Sequence, residues 1–330
     1  MILDGHAPAA IDEAARRLAA GELVAFPTET VYGLGADADS GRAVAGIFTA
    51  KGRPSDHPLI VHVTGPDAAG HYAHDIPPVA QRLMQAFWPG PLTVILPRRA
   101  GRAEAAAGGQ GSIGLRCPSH PVAQALLRAC GNLQPPLTGL AAPSANRFGR
   151  VSPTTALHVQ HEFGETLCIL DGGACEVGIE SAIVDCTRGV PVLLRPGVLT
   201  HARIEAACGE RLWRPEEVTE PAPRASGTLE SHYAPQARVR LMDAAALQDA
   251  LDVLGAQASG IAVWSRAPLR SAAPGVLRQA MPQHADDAAR ELFAVLRAFD
   301  DAGVRLIWIE QPPDTSEWAG VLDRLRRAAA

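Results

Sequence analysis

Short apolar runs alternate with helix-compatible segments along the first two hundred residues, and this alternation restricts the fold of the chain more than any other feature. Ile11, Ala14, Ala15 and Leu18 recur at the spacing of one helical face, and Gly21 ends the pattern. A second helix is predicted at residues 43–50, and the polar, glycine-containing residues 28–35 are interpreted as a functional loop. Apolar runs of strand length lie at residues 23–26, 59–63, 92–96, 112–116, 166–170, 182–185 and 192–195. Because strands and helices alternate, we expect an α/β domain.

The character of the sequence changes after residue 196. Residues 196–235 are polar, rich in proline and poorly periodic, which is typical of a linker. Beyond them, strand-like runs at residues 239–242, 260–264 and 304–310 alternate with helical patterns, and this predicts a small Rossmann-like domain. We therefore expect a first domain at residues 1–205, a linker at 206–236 and a second domain at 237–330.

Composition excludes several classes of protein. The chain has 330 residues, 47% of them hydrophobic, which is enough material for two cores. Its net charge of -5 provides no overall attraction to nucleic acid or anionic lipid, so any anion site must be local. Six cysteines without a Cys-x-x-Cys pair favour reduced thiols in a cytoplasm. With no apolar leader and no run of eighteen apolar residues, we expect neither secretion nor membrane insertion.

Lys51 is the single lysine in the chain, since the other 29 of its 30 basic residues are arginine. A chain that uses arginine elsewhere has a physical reason to keep a compact ammonium at this position. Cations and hydroxyls also concentrate in segments that glycine and proline restrict, which suits the binding of phosphate and carboxylate. These segments are residues 28–35, 51–62, 112–116, 142–152, 178–181 and 195–197.

Several familiar motifs are absent or misleading. No Walker A loop occurs, so ATP would have to be held in another way. Residues 109–114 match G-x-G-x-x-G, but we reject a dinucleotide site because the next residues predict a strand ending at Pro118. The histidine pairs at 71/74 and 158/161 have helical spacing but no cluster of cysteine or carboxylate partners, so we interpret them as surface or core residues and not as metal ligands.

Seven motifs resemble, in order and spacing, the YrdC-type threonylcarbamoyl-AMP synthase family. They span nearly all of the first two hundred residues: Phe-Pro-Thr-Glu-Thr-Val-Tyr-Gly-Leu-Gly at 26–35, Lys-Gly-Arg-Pro at 51–54 with Pro-Leu-Ile-Val-His at 58–62, Trp-Pro-Gly-Pro-Leu-Thr at 88–93, Gly-Leu-Arg at 114–116, Ala-Pro-Ser-Ala-Asn at 142–146, Glu-Ser-Ala-Ile-Val-Asp at 180–185 and Leu-Arg-Pro-Gly at 194–197. His-Tyr-Ala-Pro at 232–235 resembles the signature of the longer, two-domain members. The resemblance implies a twisted mixed-sheet YrdC-like domain, a linker that acts as a lid, and a Rossmann-like domain.

The resemblance also implies a reaction. L-Threonine, bicarbonate and ATP would form threonylcarbamoyl-AMP and pyrophosphate, and the product would pass to the tRNA threonylcarbamoyl transferase complex. Lys51 and Arg53 would be catalytic, and Mg²⁺ would enter with ATP without ligands from protein side chains; no organic cofactor is implied. The L-threonine group would be Thr30, His62, Arg116 and Ser181, and the ATP group Lys51, Arg53, His57, Ser112, Ala142, Ser144, Ser152, Arg195 and Tyr233.

Two departures and two alternatives accompany this prediction. His57 stands where asparagine is frequent in the family, and residues 226–230 differ from the common linker sequence. One alternative is a non-catalytic RNA-binding module, against which the net charge of -5 and the lack of interleaved aromatic and basic residues both count; at most weak RNA binding is expected. The other is a carbamoyl-transfer enzyme of the hydrogenase-maturation type, whose zinc-finger cysteine pairs have no counterpart in this sequence.

Overall fold

A computed structural model describes residues 1–227 and 232–330 of the chain. Residues 228–231, which carry part of the predicted lid, lie outside the described residues. The described residues separate into two units, the first formed by residues 1–148 and 152–227 and the second by residues 149–151 and 232–330.

The first unit contains a ten-stranded mixed sheet, which confirms the predicted α/β class. Its order is β1-β8-β2-β3-β7-β4-β6-β5-β9-β10. The strands are β1 Ile2–Asp4, β2 Val24–Phe26, β3 Gly33–Asp37, β4 Ile60–His62, β5 Leu92–Pro97, β6 Ser112–Arg116, β7 Leu140–Ala141, β8 Cys168–Asp171, β9 Ala182–Asp185 and β10 Val192–Arg195. The helices are α1 Pro8–Ala19, α2 Gly41–Lys51, α3 Pro66–Tyr72, α4 Pro78–Phe87, α5 Pro121–Gly131, α6 Ala156–Phe163 and α7 His201–Cys208.

Local sequence explains how α2 ends at the lysine. The Ser40 hydroxyl accepts a hydrogen bond from the Ala43 amide and caps the first turn. Gly52 adopts a left-handed conformation, with φ of 64°, directly after Lys51. The lysine therefore occupies the last helical position.

The interpretation of residues 28–35 as a loop is wrong for its second half. Residues 33–37 form β3, which pairs antiparallel with both β2 and β7. A Cβ atom at Gly35 would lie 2.7 Å from Cε1 of Phe26, so glycine allows the aromatic ring to pack against the strand. The glycines that suggested a loop instead permit close packing in a sheet.

Strand direction brings distant residues to one edge of the central sheet. β4 runs parallel to β6, β5 antiparallel to β6, β5 parallel to β9, and β9 antiparallel to β10. The carboxyl ends of β4, β6 and β10 therefore meet the amino ends of β5 and β9. We call this edge the substrate edge, because three of the four residues predicted to bind L-threonine lie on it. It carries His62, Thr93, Arg116, Ser181 and Arg195.

The second unit contains a four-stranded, wholly parallel sheet in the order β11-β14-β12-β13. This confirms the predicted small α/β domain with helices beside a parallel sheet. Its elements are β11 Arg238–Met242, α8 Ala244–Leu254, β12 Ile261–Ser265, β13 Leu277–Ala280, α9 Ala285–Asp301, β14 Leu306–Glu310 and α10 Ala319–Ala329. Strand β13 was not predicted, because its residues are largely exposed and form no apolar run.

None of the helices within residues 1–227 and 232–330 is both long and apolar enough to cross a membrane.

Candidate active site

Arg116 lies at the substrate edge in a buried ion pair. Its Nη2 donates to Oε1 of Glu29 at 2.7 Å, and both side chains are about 95% buried. The other Glu29 oxygen accepts from the Ser119 amide at 3.0 Å, which fixes the carboxylate. Within the described part of the chain, the buried Nε of Arg116 has no hydrogen-bond partner. The guanidinium is thus held from one side and keeps a donor for an incoming anion.

His62 stands beside Arg116, paired with it in register across β4 and β6. Burial, and then the charge of Arg116, lower the pKa of His62 to about 3, so the ring is neutral at physiological pH. Its buried Nδ1 has no hydrogen-bond partner among residues 1–227 and 232–330. The imidazole can therefore contact a substrate without adding a second positive charge.

The hydroxyl of Thr30 is oriented by Thr28. The single hydroxyl proton of Thr28 is donated to the Val31 carbonyl at 2.7 Å. Thr30 Oγ1 lies 2.8 Å from Thr28 Oγ1, which also accepts from the Thr30 and Val31 amides at 3.2 Å. Because the Thr28 proton is used, a hydrogen bond between the two hydroxyls takes its proton from Thr30. This leaves the Thr30 oxygen as an acceptor, suited to an ammonium or hydroxyl group of a ligand.

Ser181 and Arg195 are in direct contact at the same edge. Nε of Arg195 donates to the Ser181 carbonyl at 3.0 Å, and its Nη2 lies 3.3 Å from the Ser181 hydroxyl. Its Nη1 donates to the carbonyl of Ser226 in the linker at 2.7 Å. Ser181, predicted to bind L-threonine, therefore contacts Arg195, predicted to bind ATP.

Lys51 binds the loop that follows β7. Its ammonium donates to the Ser144 carbonyl at 2.6 Å and to the Asn146 carbonyl, while its own carbonyl accepts from the Phe148 amide. Burial and the nearby Arg53 hold the pKa of Lys51 well below its ordinary value. Two of the three ammonium donors position the loop, and the third is available to a phosphate.

Arg53 and His57 both contact the ring of Phe148. The Arg53 guanidinium lies 5.7 Å from the centroid of Phe148, and the His57 ring meets Phe148 edge-on at 5.5 Å. Arg53 also donates to the Pro58 carbonyl at 2.9 Å. Partial burial and the Arg53 charge lower the pKa of His57, so this ring adds little positive charge.

The remaining ATP-group residues of the first unit are held by backbone contacts or by a carboxylate. The Ala142 amide donates to the Ile60 carbonyl at 2.9 Å, so a backbone contact from Ala142 to a nucleotide would use its carbonyl. Ser152 donates to Glu180 at 2.5 Å. Ser112 lines a small pocket that Thr93, Gln110 and residues 224–226 of the linker also line.

Tyr233 is buried in the second unit. Its ring packs 5.4 Å from Phe293, and the guanidinium of Arg324 lies 5.6 Å from the ring centroid. Tyr233 therefore lies among side chains of the second unit, and the other predicted site residues lie in the first unit.

In the part of the chain that the structure describes, no group of three His, Cys, Asp or Glu side chains is placed to hold a metal ion. His71 pairs with Asp39 and His74 with Asp75, so these two histidines point to separate partners. The segment with the G-x-G-x-x-G pattern leads into strand β6 and not into a helix, as predicted.

The most informative residue not predicted is Glu29. It belongs to the motif at residues 26–35, in which it is the one acidic residue among hydroxyl-bearing and apolar ones, and the sequence alone assigns it no role. Only its pairing with Arg116, 87 residues away, shows what it does.

Comparisons with known proteins cover the whole chain. The family model Sua5_yciO_yrdC, described as "Telomere recombination", matches residues 16–197, and a model described as "Threonylcarbamoyl-AMP synthase, C-terminal domain" matches residues 199–330. A threonylcarbamoyl-AMP synthase of Pyrococcus abyssi is 36% identical over 318 residues, covering 94% of this chain and 91% of the relative. One of Bacillus subtilis is 37% identical over 326 residues, covering 97% and 92%.

The fold agrees with a solved structure as well. The crystal structure of P. abyssi Sua5 complexed with L-threonine superposes with a TM-score of 0.90 at 34% identity. The match covers 100% of this chain and 97% of that one.

Proposed function

Because this chain belongs to the threonylcarbamoyl-AMP synthase family, in the form with a C-terminal domain, we propose that its substrate edge binds L-threonine and one end of ATP. The chain is an L-threonylcarbamoyladenylate synthase, and the edge supplies groups that match its substrates in charge and in hydrogen bonding.

L-Threonine would bind through groups with complementary polarity. The unpartnered Nε of Arg116 is a donor for the carboxylate, and the Thr30 oxygen is an acceptor for the amine or hydroxyl. Neutral His62 leaves Arg116 as the local positive charge of this group. The P. abyssi relative, which shares the fold, was solved with L-threonine bound.

ATP would extend from the substrate edge toward Ser112 and Ala142 at the other ends of the strands. The four residue steps from Ser112 to Arg116 span about 13 Å, at roughly 3.3 Å per residue. Arg195, at the substrate edge, would meet the phosphate nearest to L-threonine, and Lys51 and Arg53 would meet the others. The contact of Tyr233 with the nucleotide stays a prediction, since its ring packs against Phe293 in the second unit.

Mg²⁺ fits this site as an ion carried by the nucleotide. The functional side chains offer cations and hydroxyls, and the nearby carboxylates of Glu29 and Glu180 are hydrogen-bonded to protein groups. Phosphate oxygens and water would supply the ligands of the ion. The bound ion would partly neutralise the negative charge of the triphosphate.

The chain would act chiefly by positioning two anions. The neutral amine of L-threonine adds to carbon dioxide derived from bicarbonate, loses one proton and forms a carbamate. A carbamate oxygen then attacks the α-phosphorus, and the bond to the β-phosphate oxygen breaks to release pyrophosphate. Buried Arg116, Arg195 and Lys51 would offset the repulsion between these anions.

The observation that carries this proposal is the buried Arg116 with an unpartnered donor beside neutral His62. Buried cations can bind a small ligand in a pocket but cannot reach an RNA backbone, which counts against a non-catalytic RNA-binding module. The match of both family models along the chain counts against the hydrogenase-maturation alternative. We expect at most weak RNA binding.

The test is pyrophosphate release from ATP and bicarbonate, with and without L-threonine, and with L-serine as the control amino acid. Release that depends on L-threonine supports the proposal. Release that is equal without an amino acid, or no release in any mixture, contradicts it. We further propose that the product passes, in the cytoplasm, to the tRNA threonylcarbamoyl transferase complex.

A further inference from the structure

Thr93 is a polar residue in an otherwise apolar strand. It lies in β5 between the buried residues Leu92 and Val94 and is itself fully buried. A buried hydroxyl is unfavourable unless it is hydrogen-bonded. Valine has the same shape and would fill the same space, so the hydroxyl at this position needs an explanation.

The Thr93 hydroxyl meets Ser181. The register pairs Thr93 with Ile183, and this places its Oγ1 2.8 Å from Ser181 Oγ at the start of β9. On its other side the Thr93 methyl faces Gly114, where an added Cβ would lie 3.4 Å from Cγ2. The apolar half of the side chain therefore packs in the sheet while the polar half turns to Ser181.

The donor in this hydrogen bond can be assigned by counting protons. Ser181 Oγ is the one partner that the described residues offer to the Thr93 hydroxyl. If Ser181 donated to Thr93, the Thr93 proton would be buried without an acceptor. If Thr93 donates, the proton left over belongs to Ser181, which lies in the proposed L-threonine site and can donate it to a ligand, so we take Thr93 as the donor.

Arg195 occupies the second lone pair of Ser181. A guanidinium can only donate, so the contact from Nη2 at 3.3 Å makes the Ser181 oxygen an acceptor. With both lone pairs filled, the remaining hydroxyl proton of Ser181 points in the one direction that Thr93 and Arg195 leave.

We propose that Thr93 is a positioning residue that, together with Arg195, orients the Ser181 hydroxyl as a fixed hydrogen-bond donor to the carboxylate or carbamate of L-threonine. This inference rests on the proposed function, because it takes Ser181 as part of the L-threonine site. Thr93, which also lines the pocket that contains Ser112, acts on L-threonine through Ser181.

Two variants of the full chain test the proposal by calorimetric titration with L-threonine. Thr93→Val keeps the shape and removes the donor, and it is expected to weaken L-threonine binding about fivefold, a fraction of one hydrogen bond to an anion. Thr93→Ser keeps the donor and is expected to bind within twofold of the wild type. Thr187→Val is the matched control, because it makes the same change in side chain and removes a 2.7 Å hydrogen bond to Asp185 at the opposite end of β9. It should leave the affinity for L-threonine unchanged.

A double-mutant cycle separates positioning from packing. If Thr93 acts only through Ser181, Thr93→Val has no further effect on L-threonine affinity in the Ser181→Ala chain. Equal binding by wild type and Thr93→Val overturns the inference. So does an unrescued loss in Thr93→Ser, or an additive loss in the double variant.

The failure of this inference can be distinguished from failure of the proposed function. A wild-type chain that binds L-threonine but releases no pyrophosphate contradicts the synthase reaction, while the Thr93 comparison is still read from binding. A wild-type chain that binds no L-threonine overturns both.

Discussion

Replacing Arg116 by methionine should lower both stability and L-threonine affinity, for different reasons. Arg116→Met leaves the Glu29 carboxylate buried with the Ser119 amide as its remaining recorded partner. Breaking a buried ion pair by removing one partner costs about 3–5 kcal/mol. Replacing both partners, as in Arg116→Met/Glu29→Gln, removes the uncompensated charge and should cost about 1–3 kcal/mol, the penalty of a buried amide that lacks a partner. The double variant should therefore be the more stable of the two.

The assay must report on the first unit alone, because the chain has two units. Hydrogen exchange of the β5 and β6 amides, followed by mass spectrometry, gives the opening free energy of this sheet. Calorimetry gives the affinity for L-threonine. The double variant should regain stability and still fail to bind L-threonine, because the carboxylate anchor is missing.

Arg188 provides a matched control for this experiment. It forms a second buried pair in the same unit, with Asp185 at 2.6 Å, away from the substrate edge. Arg188→Met should cost comparable stability and leave L-threonine affinity unchanged. If Arg116→Met and the double variant were equally stable, the predicted energetic coupling between Arg116 and Glu29 would be refuted. Wild-type L-threonine binding by the double variant would refute the role of Arg116.

Three further predictions concern single residues. The pKa of Lys51 is lower in the folded chain than in the unfolded chain, so the folded chain binds fewer protons at this residue. The free energy of unfolding should therefore rise with pH below the ordinary value of 10.5. Lys51→Met should flatten that rise in urea titrations and should abolish pyrophosphate release. Because folding lowers the pKa of His62 to about 3, the free energy of unfolding should fall as pH drops from 6.5 toward 3. The ring stays neutral between pH 6 and 8, so the affinity for L-threonine measured by calorimetry should be constant in that range. A Cβ at Gly197 would lie 2.6 Å from the Ala182 amide nitrogen, so Gly197→Ala should displace the substrate edge, lowering the melting temperature and the rate of pyrophosphate release.

Much of the fold could be predicted from local patterns. The strands at residues 112–116, 182–185 and 192–195 were predicted to the residue, because compact apolar runs bounded by turn residues are strong local signals. β3 and β13 were missed for opposite reasons. β3 is rich in glycine because Phe26 packs against it, and β13 is too exposed to show an apolar run. In both strands a neighbour in space, and not the local sequence, decides the structure.

The sequence by itself determined the residue types of the site, their order along the chain and the family to which they belong. Lys51 and the motif that contains Arg116 could be selected without any coordinates. The predicted roles in binding ATP and L-threonine stay predictions until the experiments above are done.

Only the tertiary structure decided which groups are donors, which are acceptors and which are already paired. Glu29 neutralises Arg116 across 87 residues of chain, and Thr93 reaches Ser181 across 88. Whether Thr30 accepts and Ser181 donates depends on where the other protons of each cluster go. Hydrogen-bond polarity is a property of neighbours in space, and strand order, which sets those neighbours, is not encoded in any local stretch of sequence.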